Sequence, residues 1–184
     1  MSVDERMVHD IVQKVMANMQ ISGSVSGMHG VFKDMNDAIN ASIEAQKKVC
    51  TMTLDQREQI ISLIRKKTHE NAEILANMGV NETGMGNVGD KILKHHLTAD
   101  KVPGTEDIST IAWSGDRGLT LVEMGPFGVI GAITPATNPS ETVICNCIGM
   151  LAGGNTVVFN PHPNAKKTTI YTINMINEAS IEAG

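Results

Sequence analysis

The chain is short of aromatic residues, of cysteine pairs and of long apolar runs, and each shortage excludes something. One Trp, one Tyr and three Phe stand against twelve Met, so Met, Ile and Val are expected to fill the core in place of rings. Three cysteines show no paired spacing, which suits a reducing cytosol rather than a disulfide framework. No apolar run approaches the ~18 residues that a membrane-spanning helix needs. The N-terminus carries Asp4 and Glu5 without a continuous apolar segment, so a secretory signal is not expected. Positive charge is also scarce. The net charge is -5, whereas a nucleic-acid surface needs clustered Lys and Arg, and the pairs Lys66-Lys67 and Lys166-Lys167 read as solvated helix faces. What remains is 184 residues, 41% hydrophobic and 19% charged, enough for one ordinary globular core.

Two unusual loops stand out, each preceded by a strand pattern. The segment Met124-Gly-Pro-Phe-Gly-Val-Ile-Gly-Ala-Ile-Thr-Pro-Ala-Thr-Asn138-Pro reads as a buried strand, Phe127 to Ile133, entering a Pro/Thr/Asn loop. The segment Gly154-Asn-Thr-Val-Val-Phe-Asn-Pro-His-Pro163 reads as a short β-branched strand, Thr156 to Phe159, entering a Pro-rich loop. The residues between them have helical character. Strand, loop, helix, strand, loop is a βαβ unit, and ligands in such sheets sit at the loops beyond the carboxyl ends of the strands.

The rest of the chain reads as scaffold around that unit. In residues 1–20, Val3, Met7, Val8, Ile11, Val12, Val15, Met16 and Met19 fall on one helical stripe. A Gly/Ser-rich linker follows in 21–30. The stripe suits either a helix docked on its own domain or a tethered docking peptide. Residues 31–107 read as helices, with Thr53 and Gln56 forming a capping-box signature before Ile60, Ile61 and Ile64. Gly84-Met-Gly-Asn-Val-Gly89 lacks the preceding strand and the Gly-Lys-Ser/Thr ending of a phosphate loop, so it reads as a helix-terminating turn. Residues 108–124 read as a hairpin about Ser114-Gly-Asp-Arg-Gly118. Gly125, Gly128 and Gly131 lie in or before a strand instead of opening a helix, which argues against a dinucleotide fingerprint.

Asn138 carries two readings. A side-chain amide at a strand-to-helix loop can donate to an oxygen that becomes negative as a nucleophile adds to a carbonyl. Equally, Asn138 followed by Pro139, with Glu141 at the third position, is what a helix N-terminus looks like. Cys145 and Cys147, two apart on a helix, point about 200° away from each other and cannot share a site. They lie in the apolar run Val143 to Leu151 and read as buried core, while Cys50 reads as an ordinary helix position. His162 has no second ligand at metal spacing, and His95-His96 read as surface.

Glu82-Thr-Gly-Met-Gly86, Ser114-Gly-Asp-Arg-Gly118, Gly128 to Pro139 and Asn160-Pro-His-Pro163 together resemble the aldehyde dehydrogenase superfamily in its order. The resemblance is to its CoA-acylating branch, which oxidises acetaldehyde or propionaldehyde in ethanolamine and propanediol breakdown, and it covers nearly the whole chain. It implies an α/β, aldehyde dehydrogenase-like fold: a partial Rossmann-type NAD-binding domain with N-terminal helices and an oligomerisation hairpin. Residues 1–20 would be a microcompartment-targeting peptide that engages shell proteins. Residues 31–107 would be the helical part of the NAD-binding domain, 108–124 the oligomerisation hairpin of a homo-oligomer, and 125–184 the first βαβα part.

The implied activity is NAD-dependent oxidation of a short aldehyde to its acyl-CoA through a cysteine thioester, with coenzyme A as co-substrate. It would take place in the cytoplasm or a microcompartment lumen. Asn138 would stabilise the oxyanion, and Thr134, Pro135, Ala136, Asn160, His162 and Pro163 would form part of the cofactor wall, with no metal. In the hydrolytic enzymes a Lys and a Glu at the positions of Asn160 and Pro163 grip the adenosine ribose. Their absence implies a dinucleotide held less firmly, as suits an enzyme whose reduced cofactor must leave before CoA enters the same crevice. The family's nucleophilic Cys belongs to a later segment. The amphipathic stretch Lys166 to Ala183 ought to feed a third strand, so the chain is expected to be the N-terminal portion of a larger enzyme and inactive alone. Two rival readings are a non-catalytic assembly or targeting module, and a semialdehyde or fused aldehyde-alcohol dehydrogenase of the same superfamily.

Overall fold

A computed structural model describes residues 28–184. The stripe in residues 1–20 and most of the linker after it lie outside the described residues.

Three helices come first. Helix α1, Met35–Val49, starts at Asp34, whose carboxylate accepts from the Asn36 N–H. Helix α2, Leu54–Thr83, opens on the capping box that the sequence signals: the Thr53 hydroxyl accepts from the Gln56 N–H, and the Gln56 side chain accepts from the Thr53 N–H. It ends at Gly84, which takes the left-handed φ of 68° that closes a helix without a Cβ clash. Helix α3, Val88–Lys101, is capped by Asn87 through the Asp90 N–H. The Gly84–Gly89 stretch is therefore a stop and a restart between two helices.

Strands β1, Ile111–Gly115, and β2, Gly118–Val122, pair antiparallel in register Ile111 with Val122 and Gly115 with Gly118. Every residue of this hairpin is exposed. Strand β3, Val129–Ile133, then pairs in parallel with β4, Thr156–Asn160, in register Val129 with Thr156 and Ile133 with Asn160. Helix α4, Pro139–Ala152, joins the two strands, and helix α5, Lys166–Glu182, follows β4 after a short 3-10 turn at Pro163–Ala165.

The core lies among α2, α4 and α5. Ile60, Ile61, Ile64 and Leu75 of α2 meet Val143, Ile144, Ile148 and Leu151 of α4 and Met175, Ile176 and Ala179 of α5. Fully burying one such side chain contributes roughly 1.5–3 kcal/mol, so this cluster dominates the packing energy. Aliphatic residues fill it. Met175 is the one buried methionine among the described residues, and Met28, Met35, Met85 and Met124 are exposed, contrary to the expectation of a Met-filled core.

Polar ties fix the sheet to this body. The Gln46 amide of α1 donates to the Gly154 carbonyl and accepts from the Thr156 N–H, while Asn155 Oδ1 accepts from the N–H groups of Phe127 and Gly128. Glu82, at the end of α2, accepts from the Lys167 and Thr168 N–H groups and the Thr168 hydroxyl, and so caps α5 from another element.

Two expectations need correction here. The strand read as buried from Phe127 to Ile133 begins at Val129 and is only partly covered: Phe127 is 97% exposed and Ile133 86%. Its apolar character suits a sheet covered on both faces, whereas among the described residues β3 pairs only with β4. His95 is fully buried instead of lying at the surface, because it shares with Lys91, one turn earlier, the face of α3 turned toward α4.

Candidate active site

Parallel pairing brings both unusual loops to one edge. The ladder extends one bond beyond the strands, where the Thr134 N–H donates to the Asn160 carbonyl at 3.1 Å. Thr134 is 2% exposed and its hydroxyl finds no partner. Pro135, Asn160, His162 and Pro163 are exposed along that edge, and Ala136 is half-buried. His162 Nδ1 accepts from the Asn164 N–H at 3.1 Å, so this imidazole caps the 3-10 turn and its other face is open.

Asn138 stands at the N-cap position of α4, with Pro139 at the first helical residue, yet its side chain makes no capping bond. Lys94 Nζ of α3 donates to Asn138 Oδ1 at 2.8 Å instead. The capping reading thus holds for the backbone, where the Thr142 N–H reaches the Asn138 carbonyl, and fails for the carboxamide. Asn138, Thr137, Lys94, Lys91, Asp90, Asn87, Gly86 and Met85 line an open cleft of about 360 Å³ between the start of α3 and the start of α4.

Beneath the cleft lies a buried polar layer. Lys91 Nζ is 3.3 Å from Glu141 Oε1 and donates to the Thr137 carbonyl at 3.2 Å. His95 Nδ1 is 2.6 Å from the Lys91 carbonyl. A carbonyl only accepts, so Nδ1 carries the proton and a neutral ring leaves Nε2 as an acceptor toward the Ser140 hydroxyl, 2.8 Å away, which Glu141 Oε2, 3.1 Å away, shares as a second acceptor. Burial holds the His95 pKa below its ordinary value, although Glu141 and the bond to the Lys91 carbonyl pull the other way. The ring is therefore neutral at physiological pH.

The thiols behave differently from each other. Cys147 is partly exposed as a residue, but its sulfur packs against the apolar core, and burial pushes its pKa up to about 12. That is the opposite of an activated thiolate. Cys145 is exposed, which corrects the reading of both thiols as core. The divergence of about 200° explains the difference, since only one of them can face α2 and α5. Cys50 is exposed at the end of α1.

Lys91, Lys94, His95 and the partnership of Glu141 escape a reading of the sequence. A signal for the first three does exist: they fall at i, i+3 and i+4 on one face of α3, the spacing at which helix side chains gather. Among the described residues no group of three or more His, Cys, Asp or Glu could hold a metal ion, and no helix is long and apolar enough to cross a membrane.

Comparison with known proteins places this geometry among relatives. A model of the aldehyde dehydrogenase family matches residues 15–184. The chain is 46% identical over 188 residues to an acetylating acetaldehyde dehydrogenase of Bilophila wadsworthia, covering 97% of this chain and 38% of that protein. It is 45% identical over 149 residues to a CoA-propanoylating propanal dehydrogenase of Salmonella typhimurium, covering 81% and 32%. The structure matches that of a propionaldehyde dehydrogenase from the Clostridium phytofermentans fucose utilisation bacterial microcompartment with a TM-score of 0.81 and 74% identity, over 84% of this chain and 36% of that one. It also matches a Rhodopseudomonas palustris propionaldehyde dehydrogenase with bound propionyl-CoA, with a TM-score of 0.81 and 45% identity, over 86% and 36%. The chain thus spans 38% or less of the length of these relatives.

Proposed function

The chain belongs to the aldehyde dehydrogenase family, and on that premise we propose that the full-length protein oxidises a short aldehyde, acetaldehyde or propionaldehyde, to its acyl-CoA, with Asn138 as the oxyanion donor. The observation that carries the assignment of Asn138 is its unused cap. Its amide oxygen is taken by Lys94 and its N–H groups donate to no acceptor among the described residues, beside an open cleft.

In the proposed first step a cysteine thiolate adds to the aldehyde carbon, the C–S bond forms, and the carbonyl π pair moves to oxygen. The Asn138 N–H stabilises that negative oxygen. An N–H fixed where charge develops is worth ~3–4 kcal/mol of barrier. Once the former aldehyde carbon has given up its hydride, which bound NAD would accept, the same donor serves again when the CoA thiolate adds to the resulting thioester and expels the enzyme thiolate. The nucleophile is assigned to a segment other than this one. The Cys147 thiol resists ionisation, and Cys145 follows Asn138 by seven residues, roughly 10 Å along α4, too far for one carbonyl to touch both.

The β3–β4 edge fits the adenosine half of a dinucleotide. Asn160 and His162 are exposed there with an open carboxamide and an open ring face, and the buried Thr134 hydroxyl beside them lacks a partner. Bound NAD supplies the hydride acceptor. Asn160 and His162 would hold its ribose and wall its adenine, with Thr134, Pro135, Ala136 and Pro163 shaping the floor. The exposed hairpin, with Trp113, Leu119 and Leu121 each more than half exposed, supports assembly into a homo-oligomer. The stripe in residues 1–20 supports docking to a microcompartment shell protein, as does the likeness to an enzyme of such a compartment.

The reading is tested on the full-length protein by Asn138→Ala. Turnover of propionaldehyde is expected to fall roughly a hundredfold or more with NAD affinity nearly unchanged, the pattern of a group acting on the transition state. Normal turnover would return Asn138 to a backbone cap and remove the assignment.

A further inference from the structure

We propose that Lys94 is a positioning residue for the amide of Asn138, an inference that rests on the reading of Asn138 as an oxyanion donor and extends it to a residue on another helix. A carboxamide at a helix N-cap ordinarily turns its oxygen inward to accept from the second or third N–H of the helix. Here the Lys94 ammonium, 2.8 Å from Oδ1, holds the oxygen out of the cap. The amide is planar, so anchoring the oxygen fixes the directions of both N–H bonds.

Charge adds to geometry. A cation on the amide oxygen withdraws density through the conjugated C–N bond and makes the N–H groups stronger donors, since a charge-assisted partner polarises the bonds next to it. The free N–H groups have no protein acceptor among the described residues, so no described protein group competes with an incoming oxyanion.

The lysine is itself held in place. It lies on α3 between Lys91 and His95, and these two tie α3 to α4 through Glu141, the Thr137 carbonyl and Ser140. The same buried layer fixes the backbone on both sides of Asn138 and the helix that carries Lys94. A flexible ammonium on a mobile helix would lose this alignment; a one-turn stretch locked at Lys91 and His95 keeps it.

The test uses the full-length protein and the first-turnover rate of NADH formation with propionaldehyde. Lys94→Met is expected to slow that rate roughly tenfold or more, as for loss of alignment in a donor site. The aldehyde KM, the NAD dissociation constant and the unfolding midpoint are expected to stay close to those of the parent. Lys94→Arg should recover most of the rate, which a purely structural role would not require. In an Asn138→Ala background Lys94→Met should add almost nothing, because it acts through the missing amide.

Full additivity in the double variant, or a normal rate in Lys94→Met with Asn138→Ala impaired, overturns the positioning role and leaves the donor reading intact. A normal rate in Asn138→Ala overturns the donor reading itself, and the positioning role with it. Should Lys94→Met not fold, Lys94→Gln keeps a donor without the charge, and the same rate comparison decides: a rate equal to the parent's counts against the role, an intermediate rate for it.

Discussion

Lys91 of α3 and Glu141 of α4 form an ion pair across 3.3 Å with side chains only 5% and 8% exposed. Glu141 sits at the third helical position, where a capping box would turn its carboxylate back to the Asn138 N–H, yet it reaches to another helix. The pair holds the start of α4 against α3 under the cleft.

Removing one partner of this pair should cost far more than removing both. A lone buried charge left behind is destabilising by about 3–5 kcal/mol, whereas an apolar replacement of the whole pair is often close to neutral. Urea unfolding of the full-length protein checks this. Glu141→Leu alone should lower the midpoint strongly, and Glu141→Leu with Lys91→Met should recover much of it. Equal loss in both would show that the pair is not the dominant tie.

Acidification should loosen the same contact through His95. Its folded pKa lies below the unfolded value of 6.5, so the unfolded chain binds the extra proton first. Stability is then complete above about pH 6.5 and falls as pH drops from there toward the folded value. Midpoints measured between pH 8 and pH 5 should fall on acidification, and His95→Gln should flatten that part of the curve. An unchanged slope in the variant would remove His95 as the cause.

Glu82 should show the same direction of loss on acidification, at lower pH. Burial alone would raise its pKa, but hydrogen bonds from the Thr168 hydroxyl and the Lys167 and Thr168 N–H groups outweigh that and hold it below 4.5. Its contribution is therefore present above about pH 4.5 and is lost as pH falls through the folded value. Glu82→Ala should speed amide hydrogen exchange at Lys167 and Thr168 at neutral pH, while exchange in α3 stays as it was. Uniform acceleration across both helices would point to a global defect instead.

Residues 1–20 give a prediction independent of the body. With roughly 1.5–3 kcal/mol per fully buried side chain before ordering costs, a stripe of this kind can carry a docking contact. A fusion of these residues to a fluorescent protein should be recruited to microcompartments in a bacterium that makes them. Ile11→Glu with Val15→Glu should abolish recruitment and spare enzyme activity. A fusion that stays diffuse, or a full-length enzyme that unfolds when the segment is deleted, counts against docking.

The sequence showed most clearly what is local. The capping box at Thr53 and Gln56, the glycine stop at Gly84 and the strand–helix–strand order around Asn138 depend on neighbours a few residues away, and all are present. Asn138 was visible as a position, but the use of its side chain was not, because Lys94 lies forty-four residues earlier in the chain. His95 looked like surface for the same reason: its partner Ser140 arrives from another helix. Cys145 and Cys147 shared one apolar run, and only the orientation of α4 against α2 and α5 separates an exposed thiol from a shielded one. Local pattern fixes which elements form; which polar groups meet depends on how helices cross.

The carboxylate of Glu82 also occupies a berth. The first free N–H groups of a helix that follows a parallel strand are a ready seat for phosphate, where backbone donors and the positive pole of the helix converge. In this protein that seat at the head of α5 already holds an anion, delivered by α2. Under the proposed cofactor assignment, the pyrophosphate of a dinucleotide laid across the ends of β3 and β4 would meet a resident negative charge there, and the uncharged adenosine would be left to lie nearest α5.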